Sequence, residues 1–292
     1  MKYILFILVI LITIFSACGP DDPPDPVDDK PRVKILGHKG SGSSWIHEEF
    51  LENTIPSITN AIKSFDGVEV DVQMSKDGTP WLYHDRAING NTCDSTILIC
   101  IPQSTDYQIS SLQICYDDKK DRVYTLQKLL QLFGFSTEKF YISLDVKSHF
   151  FDDCFLNGRP PDSYFYQMAD TIISLIDFYD AHSYVLIESD KDLFLDYIEN
   201  VDSNVLTCRL GYSGIYYNLE KVRSHNYDGI SMKFTDETLV TEIVDSARKA
   251  GVIIQLWTPY SSDDIRKAIK LKPSFIQVDR VFDLEDFDLT YE

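Results

Sequence analysis

The sequence predicts an α/β fold, a (β/α)8 TIM barrel with a loop insertion after its second strand. Short apolar runs rich in Val, Ile and Leu recur from residue 33 onward, and eight of them can be marked out. Amphipathic stretches long enough for a parallel crossover lie between most of them. Eight is also the number of parallel strands that closes such a barrel. A doubly wound open sheet would use the same elements and is the alternative.

Taken in chain order, the first element is a processing signal. Lys2 precedes an apolar run over residues 3–15, followed by Ser16, Ala17 and Cys18. That run is too short to span a hydrocarbon core of about 30 Å at about 1.5 Å per helical residue. A basic start, a short apolar stretch and small residues before a cut site predict an export signal over 1–17. Phe15-Ser16-Ala17-Cys18 resembles a bacterial lipobox, which makes Cys18 the expected lipidation site. Residues 18–33 form an acidic tether, with five Asp and five Pro between positions 19 and 31. Such a segment cannot bury enough surface to offset its ordering entropy and is expected to be disordered. The predicted location is the bacterial cell envelope, on the outer membrane, facing the periplasm or the outside, with the lipid as the only membrane attachment.

The catalytic domain is expected over 34–292. Its candidate strands are 33–37, 67–73, 140–145, 184–188, 205–208, 229–232, 252–256 and 275–278, each apolar and bounded by polar or turn residues. Residues 55–65 read as a helix. So do residues 237–250, where Leu239, Ile243, Val244 and Ala247 share one face and Gly251 supplies the stop. Residues 86–122 break the rhythm. They carry Cys93, Cys100 and Cys115 and no sustained period, and read as an insertion in a βα loop over the catalytic face. Of the cysteines after Cys18, Cys93 and Cys100 are the expected pair, because one loop holds both. No cysteine or histidine spacing suggests zinc.

The net charge of −19 narrows the function classes. It excludes nucleic acid as a partner, since binding a polyanion draws most of its affinity from cationic side chains. It also requires that any phosphate-bearing substrate meet a bound cation or a local basic pocket.

Three patches place polar residues where a buried strand ends. Gly37-His38-Lys39-Gly40 runs a strand into a histidine flanked by glycines, which let backbone come close to a ligand. Glu52-Asn53-Thr54 precedes the helix at 55. Val68-Glu69-Val70-Asp71-Val72 is followed by Asp77-Gly78-Thr79-Pro80 and then by His84-Asp85. Glu69 and Asp71 are two apart on a strand and share a face, while the valines point the other way. Two carboxylates on an inward face repel and are costly to desolvate unless a cation lies between them. Oxygen ligands of this kind suit Ca²⁺ or Mg²⁺. His38 and His84 both close strand-like segments, and imidazole is a side chain suited to serve as acid and base in such a pair.

This ordered set resembles the glycerophosphodiester phosphodiesterase family, whose members carry His-Arg-Gly, Pro-Glu-Asn-Thr, Glu-x-Asp and His-Asp in that order. Thr125-Leu126-Gln127, Leu144-Asp145-Val146-Lys147 and Leu256-Trp257-Thr258 extend the likeness over nearly all of the domain. The resemblance implies a (β/α)8 barrel holding one divalent cation, Ca or Mg. It implies Glu69, Asp71 and Asp145 as metal ligands and His38 and His84 as catalytic acid and base. It implies Lys39, Glu52, Asn53, Lys147 and Trp257 as substrate-binding residues, and a small-molecule glycerophosphodiester as the partner; protein partners are not indicated. Three departures stand out. Lys39 replaces Arg and loses the planar fork that grips phosphate in two places. Leu51 replaces Pro. Asp145 replaces Glu, and its shorter arm brings Glu188, at the end of the next strand, into view as a substitute. Alternatives are a phospholipase-like barrel acting on a lysophospholipid or phosphoinositide, and a non-catalytic surface lipoprotein that binds a phosphorylated glycan or lipid.

Overall fold

A computed structural model of the chain describes residues 32–44, 49–88, 93, 99–133, 140–147 and 161–290. The export signal, Cys18 and most of the tether lie outside the described residues. The chain runs β1 (Lys34–Gly37), α1 (Ile55–Ala61), β2 (Gly67–Met74), β3 (Pro80–Leu82), α2 (Asp106–Ser110), β4 (Ile114–Tyr116) and β5 (Lys119–Asp121). It continues with β6 (Tyr124–Thr125), α3 (Leu126–Phe133), β7 (Tyr141–Val146), α4 (Pro161–Phe178), β8 (Val185–Ser189), α5 (Asp192–Val201) and β9 (Leu206–Gly211). The last elements are α6 (Ile215–His225), β10 (Gly229–Lys233), α7 (Thr241–Lys249), β11 (Ile253–Trp257), α8 (Ser262–Lys270) and β12 (Phe275–Val278).

The eight predicted runs are the strands β1, β2, β7, β8, β9, β10, β11 and β12, paired in parallel in that order. β1 pairs with both β2 and β12, so the sheet closes on itself and the open-sheet alternative falls away. The closed ring follows from alternation along each strand. On β2, Val68, Val70, Val72 and Met74 pack in the main core with helix residues such as Met168, Ile172 and Ile176. Inside the ring, Leu36, Leu186, Cys208 and Phe275 form a separate apolar plug. Each such side chain contributes about 1.5–3 kcal/mol on full burial, which fixes the register of every strand. With that register set, Asp71 lies opposite Asp145 and Asp145 opposite Glu188 on adjacent strands.

Helix boundaries depart from the sequence reading for local reasons. α1 begins where predicted, with Thr54 accepting from the Ser57 N–H and a proline in the first turn. It ends at Ala61, because tight bonds from Lys63 N to Asn60 O and Ser64 N to Ala61 O turn the chain toward β2. α7 starts at Thr241, not at 237. The Asp236 carboxylate accepts from Thr238 N at 2.9 Å and Gly214 N at 3.1 Å, and so holds a turn ahead of the helix. Past the C-cap Ala250, Gly251 adopts φ +88°, as a stop at this position requires.

The 86–122 stretch has structure of its own. It contains α2, started by a capping box between Thr105 and Gln108, and the antiparallel pair β4–β5. Ile88, Ile101, Ile109, Leu112 and Ile114 bury themselves against Leu51, Trp81 and Tyr83 as a second small core. Asp106 ties it to the Asp-Gly-Thr-Pro turn, accepting from Ser75 Oγ at 2.6 Å and Trp81 Nε1 at 3.0 Å. The cysteine expectation is corrected here. Cys93 bonds to Cys115, not to Cys100, because Cys93 N donates to Gln113 O and so lies along β4. Cys100 is engaged in a disulfide of its own.

A candidate active site at the mouth of the barrel

The turn after β1 is shaped by close backbone contact. A Cβ on Gly37 would lie 1.9 Å from Gly40 O, and Gly40 itself has φ +92°, so glycine is required at both ends of the turn. Between them His38 N bonds to Val278 O at 2.9 Å, which fixes the histidine to the end of β12. Its Nδ1 meets Asp279 Oδ1 at 2.6 Å, and its Nε2 lies 3.7 Å from Glu69 Oε2. Ser43 Oγ donates to the same Asp279 oxygen at 2.9 Å. The His38 interaction and the Ser43 bond overcome the burial of Asp279 and hold its carboxyl below the usual range. On the other side, His84 Nδ1 pairs with Asp85 Oδ1 at 2.8 Å, and this bond lowers the Asp85 carboxyl. Both imidazoles are therefore oriented by a carboxylate.

The acids between them are buried. Glu69, Asp145 and Glu188 each bring a carboxylate oxygen within 4.8 Å of the others. Burial, then mutual repulsion, raises the Glu69 carboxyl far above its ordinary value. The same two causes, burial and the nearby Asp145, push Glu188 up to about 7. Glu69 Oε1 and Asp145 Oδ1 are buried with no hydrogen-bond partner among the described residues. Orphaned hard oxygen donors in a closely spaced group fit a hard divalent cation.

Asp71, the third expected ligand, stands beside this group but outside its 4.8 Å spacing, and Glu188 stands within it. Asp71 Oδ1 is ion-paired with Lys147 Nζ at 2.9 Å and, like Glu69 Oε1 and Asp145 Oδ1, is buried with no hydrogen-bond partner among the described residues, while its Oδ2 accepts from Asn53 Nδ2 at 2.7 Å. Asn53 returns an acceptor to Asp71 N at 2.9 Å, which explains its left-handed backbone at φ 58°. Burial works against an ionised Asp71, but Lys147 outweighs it and keeps the carboxyl well below the usual range. Lys147 also bonds Asp145, and the two acids hold its ammonium charged despite burial.

Lys39 is buried at 6% exposure and donates to Glu52 Oε1 at 3.2 Å, while its own N–H donates to Glu69 Oε2 at 2.8 Å. Burial disfavours its charge, yet Asp71, Glu52 and Glu69 keep it protonated. Trp257 ends β11, and its Nε1–H is buried with no partner among the described residues. A cavity of about 290 Å³ is lined by His38, His84, Asp145, Lys147, Glu188 and Trp257. The fold thus gathers five of the ten residues picked as catalytic, ligating or substrate-binding around one space. Glu69 and Asp71 are tied to it through His38 and Lys147.

Asp279 and Gln277 were missed in the sequence. Asp279 directly follows the last strand, so the rule that located His38, a polar residue where a buried strand ends, applied to it as well. Gln277 Nε2 donates to Glu188 Oε1 at 2.7 Å and Gln255 Nε2 to Glu188 Oε2 at 3.0 Å, a net of contacts inside the ring with no linear signature.

A sequence model described as the Glycerophosphoryl diester phosphodiesterase family matches residues 38–282. The chain is 22% identical over 245 residues to a glycerophosphodiester phosphodiesterase of Caldanaerobacter subterraneus, covering 82% of this chain and 90% of that protein. It is 32% identical over 108 residues to a mouse glycerophosphocholine phosphodiesterase, a match that spans 35% of this chain and only 14% of that protein. Among solved structures, a glycerophosphodiester phosphodiesterase from Parabacteroides distasonis superposes with a TM-score of 0.68 at 16% identity, covering 86% of this chain and 94% of that one. An Oleispira antarctica phosphodiesterase in complex with the product sn-glycerol-3-phosphate gives 0.67 at 16% identity, with 85% and 93% covered.

Proposed function

We propose that this chain, which belongs to the glycerophosphoryl diester phosphodiesterase family, hydrolyses a glycerophosphodiester to an alcohol and glycerol 3-phosphate, with Ca²⁺ or Mg²⁺ in its site. The observation that carries this reading is the pair of carboxylate-oriented imidazoles, His38 and His84, lining one cavity with Asp145, Glu188 and Lys147. Hydrolysis needs one proton taken from water and one given to the leaving oxygen, and two histidines can divide that work. Lys147 and Lys39, both kept charged by buried acids, present cations to the phosphoryl oxygens. Glu69, Asp145 and Glu188 would hold the cation, with Asp71 close by. When bound, that ion polarises a phosphoryl oxygen and offsets developing negative charge.

The test is release of glycerol 3-phosphate from glycerophosphocholine by the purified chain with Ca²⁺ or Mg²⁺. No release above that of a His38→Ala control would overturn the reading. Asp279 enters as a positioning residue. Asp279→Asn is expected to lower kcat about 10²-fold through misplacement of His38, with KM changed little. Asp279→Glu should recover about tenfold of that loss by returning a carboxylate to His38 Nδ1; equal losses in the two variants would leave Asp279 a merely structural residue.

A further inference from the structure

A second cavity, of about 370 Å³, adjoins the first, and His84 lines both. One side of it is hydrocarbon and aromatic. Leu51 and Tyr83 come from the barrel loops, and Ile114 and Tyr116 come from β4. Cys115 sits between those two residues and is bonded to Cys93, so a disulfide fixes this wall in place. Leu51, buried in the second small core, supplies part of the apolar surface.

The polar floor is already committed. Glu52 Oε1 accepts from Lys39 Nζ at 3.2 Å and its Oε2 from Ser44 N at 2.9 Å. Ser44 Oγ accepts from Glu52 N at 3.0 Å, and Asp85 is paired to His84. A polyhydroxyl group entering here would lose water without gaining matched partners, whereas methyl and methylene surface loses nothing. Charge discriminates less. Lys39 offsets Glu52, and Lys119 places its ammonium 5.8 Å from the Tyr116 ring, against the single carboxylate of Asp85.

Resting on the hydrolase reading above, we infer that this cavity is the subsite for the leaving alcohol, and that it selects alcohols carrying alkyl surface over polyols. A diester whose phosphoryl group sits at the first cavity extends one arm past His84 into the second; the glycerol arm is itself a polyol, so the apolar wall with Tyr116 suits the other alcohol.

The experiment uses the full chain and four esters of glycerol 3-phosphate: with choline, with its neutral isostere 3,3-dimethylbutanol, with inositol and with methanol. The choline and dimethylbutyl esters should agree within about threefold in kcat/KM and exceed the inositol ester by roughly tenfold or more. Tyr116→Ala should cut the first two by about tenfold and leave the methyl ester within about twofold, while Tyr116→Phe keeps the preference. An inositol ester cleaved as well as the choline ester overturns the inference. So does a dimethylbutyl ester cleaved no better than inositol's, because charge would then decide. A Tyr116→Ala loss that falls equally on the methyl ester also overturns it. No turnover of any ester removes the hydrolase reading itself, and the subsite with it.

Discussion

His38→Ala and His84→Ala are each expected to lower kcat about 10²- to 10⁴-fold while KM moves far less. Each imidazole is held by a carboxylate, His38 by Asp279 at 2.6 Å and His84 by Asp85 at 2.8 Å, and neither spans the core. Removing either ring therefore strips a proton-transfer group without opening a large cavity, and the melting temperature should stay within a few degrees. The two roles are complementary in the proton balance. The double variant should be little slower than the slower single one, because residues acting as a unit are not additive. Steady-state kinetics on a glycerophosphodiester, alongside thermal melts, checks both halves. Either single variant retaining turnover within about tenfold of the parent would remove that histidine from the chemistry.

The barrel was legible because its strands announce themselves twice, as short β-branched runs and as alternation. Val68, Val70 and Val72 face the helices while Glu69 and Asp71 face inward, and the sequence carries that division openly. The site was legible where a polar residue follows a buried strand, as His38 does, and where an ordered motif carries the family resemblance, as at Lys147 and Trp257. What stayed hidden depends on neighbours distant in sequence. Glu69, Asp145 and Glu188 crowd within 4.8 Å while Lys147 and Asn53 engage Asp71, an arrangement made by side chains from β7 and from the loop before α1. The pairing of Cys93 with Cys115 depends on where β4 runs, and spacing along one loop carries no record of it. The 86–122 stretch looked aperiodic because its elements are too short for a period to build up, although Thr105 and Gln108 spell a capping box.

Glu188→Gln tests the acid cluster through two effects of opposite sign. Without a cation, Glu69, Asp145 and Glu188 crowd ionisable oxygens within 4.8 Å in a buried space. Two like charges about 4 Å apart repel by about 4 kcal/mol at an effective dielectric of 20. Glutamine keeps the shape and drops the charge. Its amide must face one donor among Ser143 Oγ, Gln277 Nε2 and Gln255 Nε2, but Gln255 Oε1 has no partner among the described residues, so a flip of that amide restores the match. The net gain should be about 1–3 kcal/mol, a rise of about 3–8 °C in the cation-free melting temperature. The sign with pH is fixed by the raised carboxyl of Glu188, near 7 in the fold against an ordinary 4.5. The stability it lends is present in acid and is lost as pH rises from about 4.5 through about 7, so the advantage of Gln should grow across that window, hold above it and vanish below it. In the presence of Ca²⁺ or Mg²⁺ the order reverses in kind. The parent should gain stability with cation concentration, and Glu188→Gln should gain less, having one hard anionic donor fewer. Thermal melts at pH 8, with chelator and with a cation series, read both effects without reference to turnover. An unchanged cation-induced shift would remove Glu188 from the ligand set, and a lower cation-free melting temperature would show that its hydrogen bonds outweigh the repulsion.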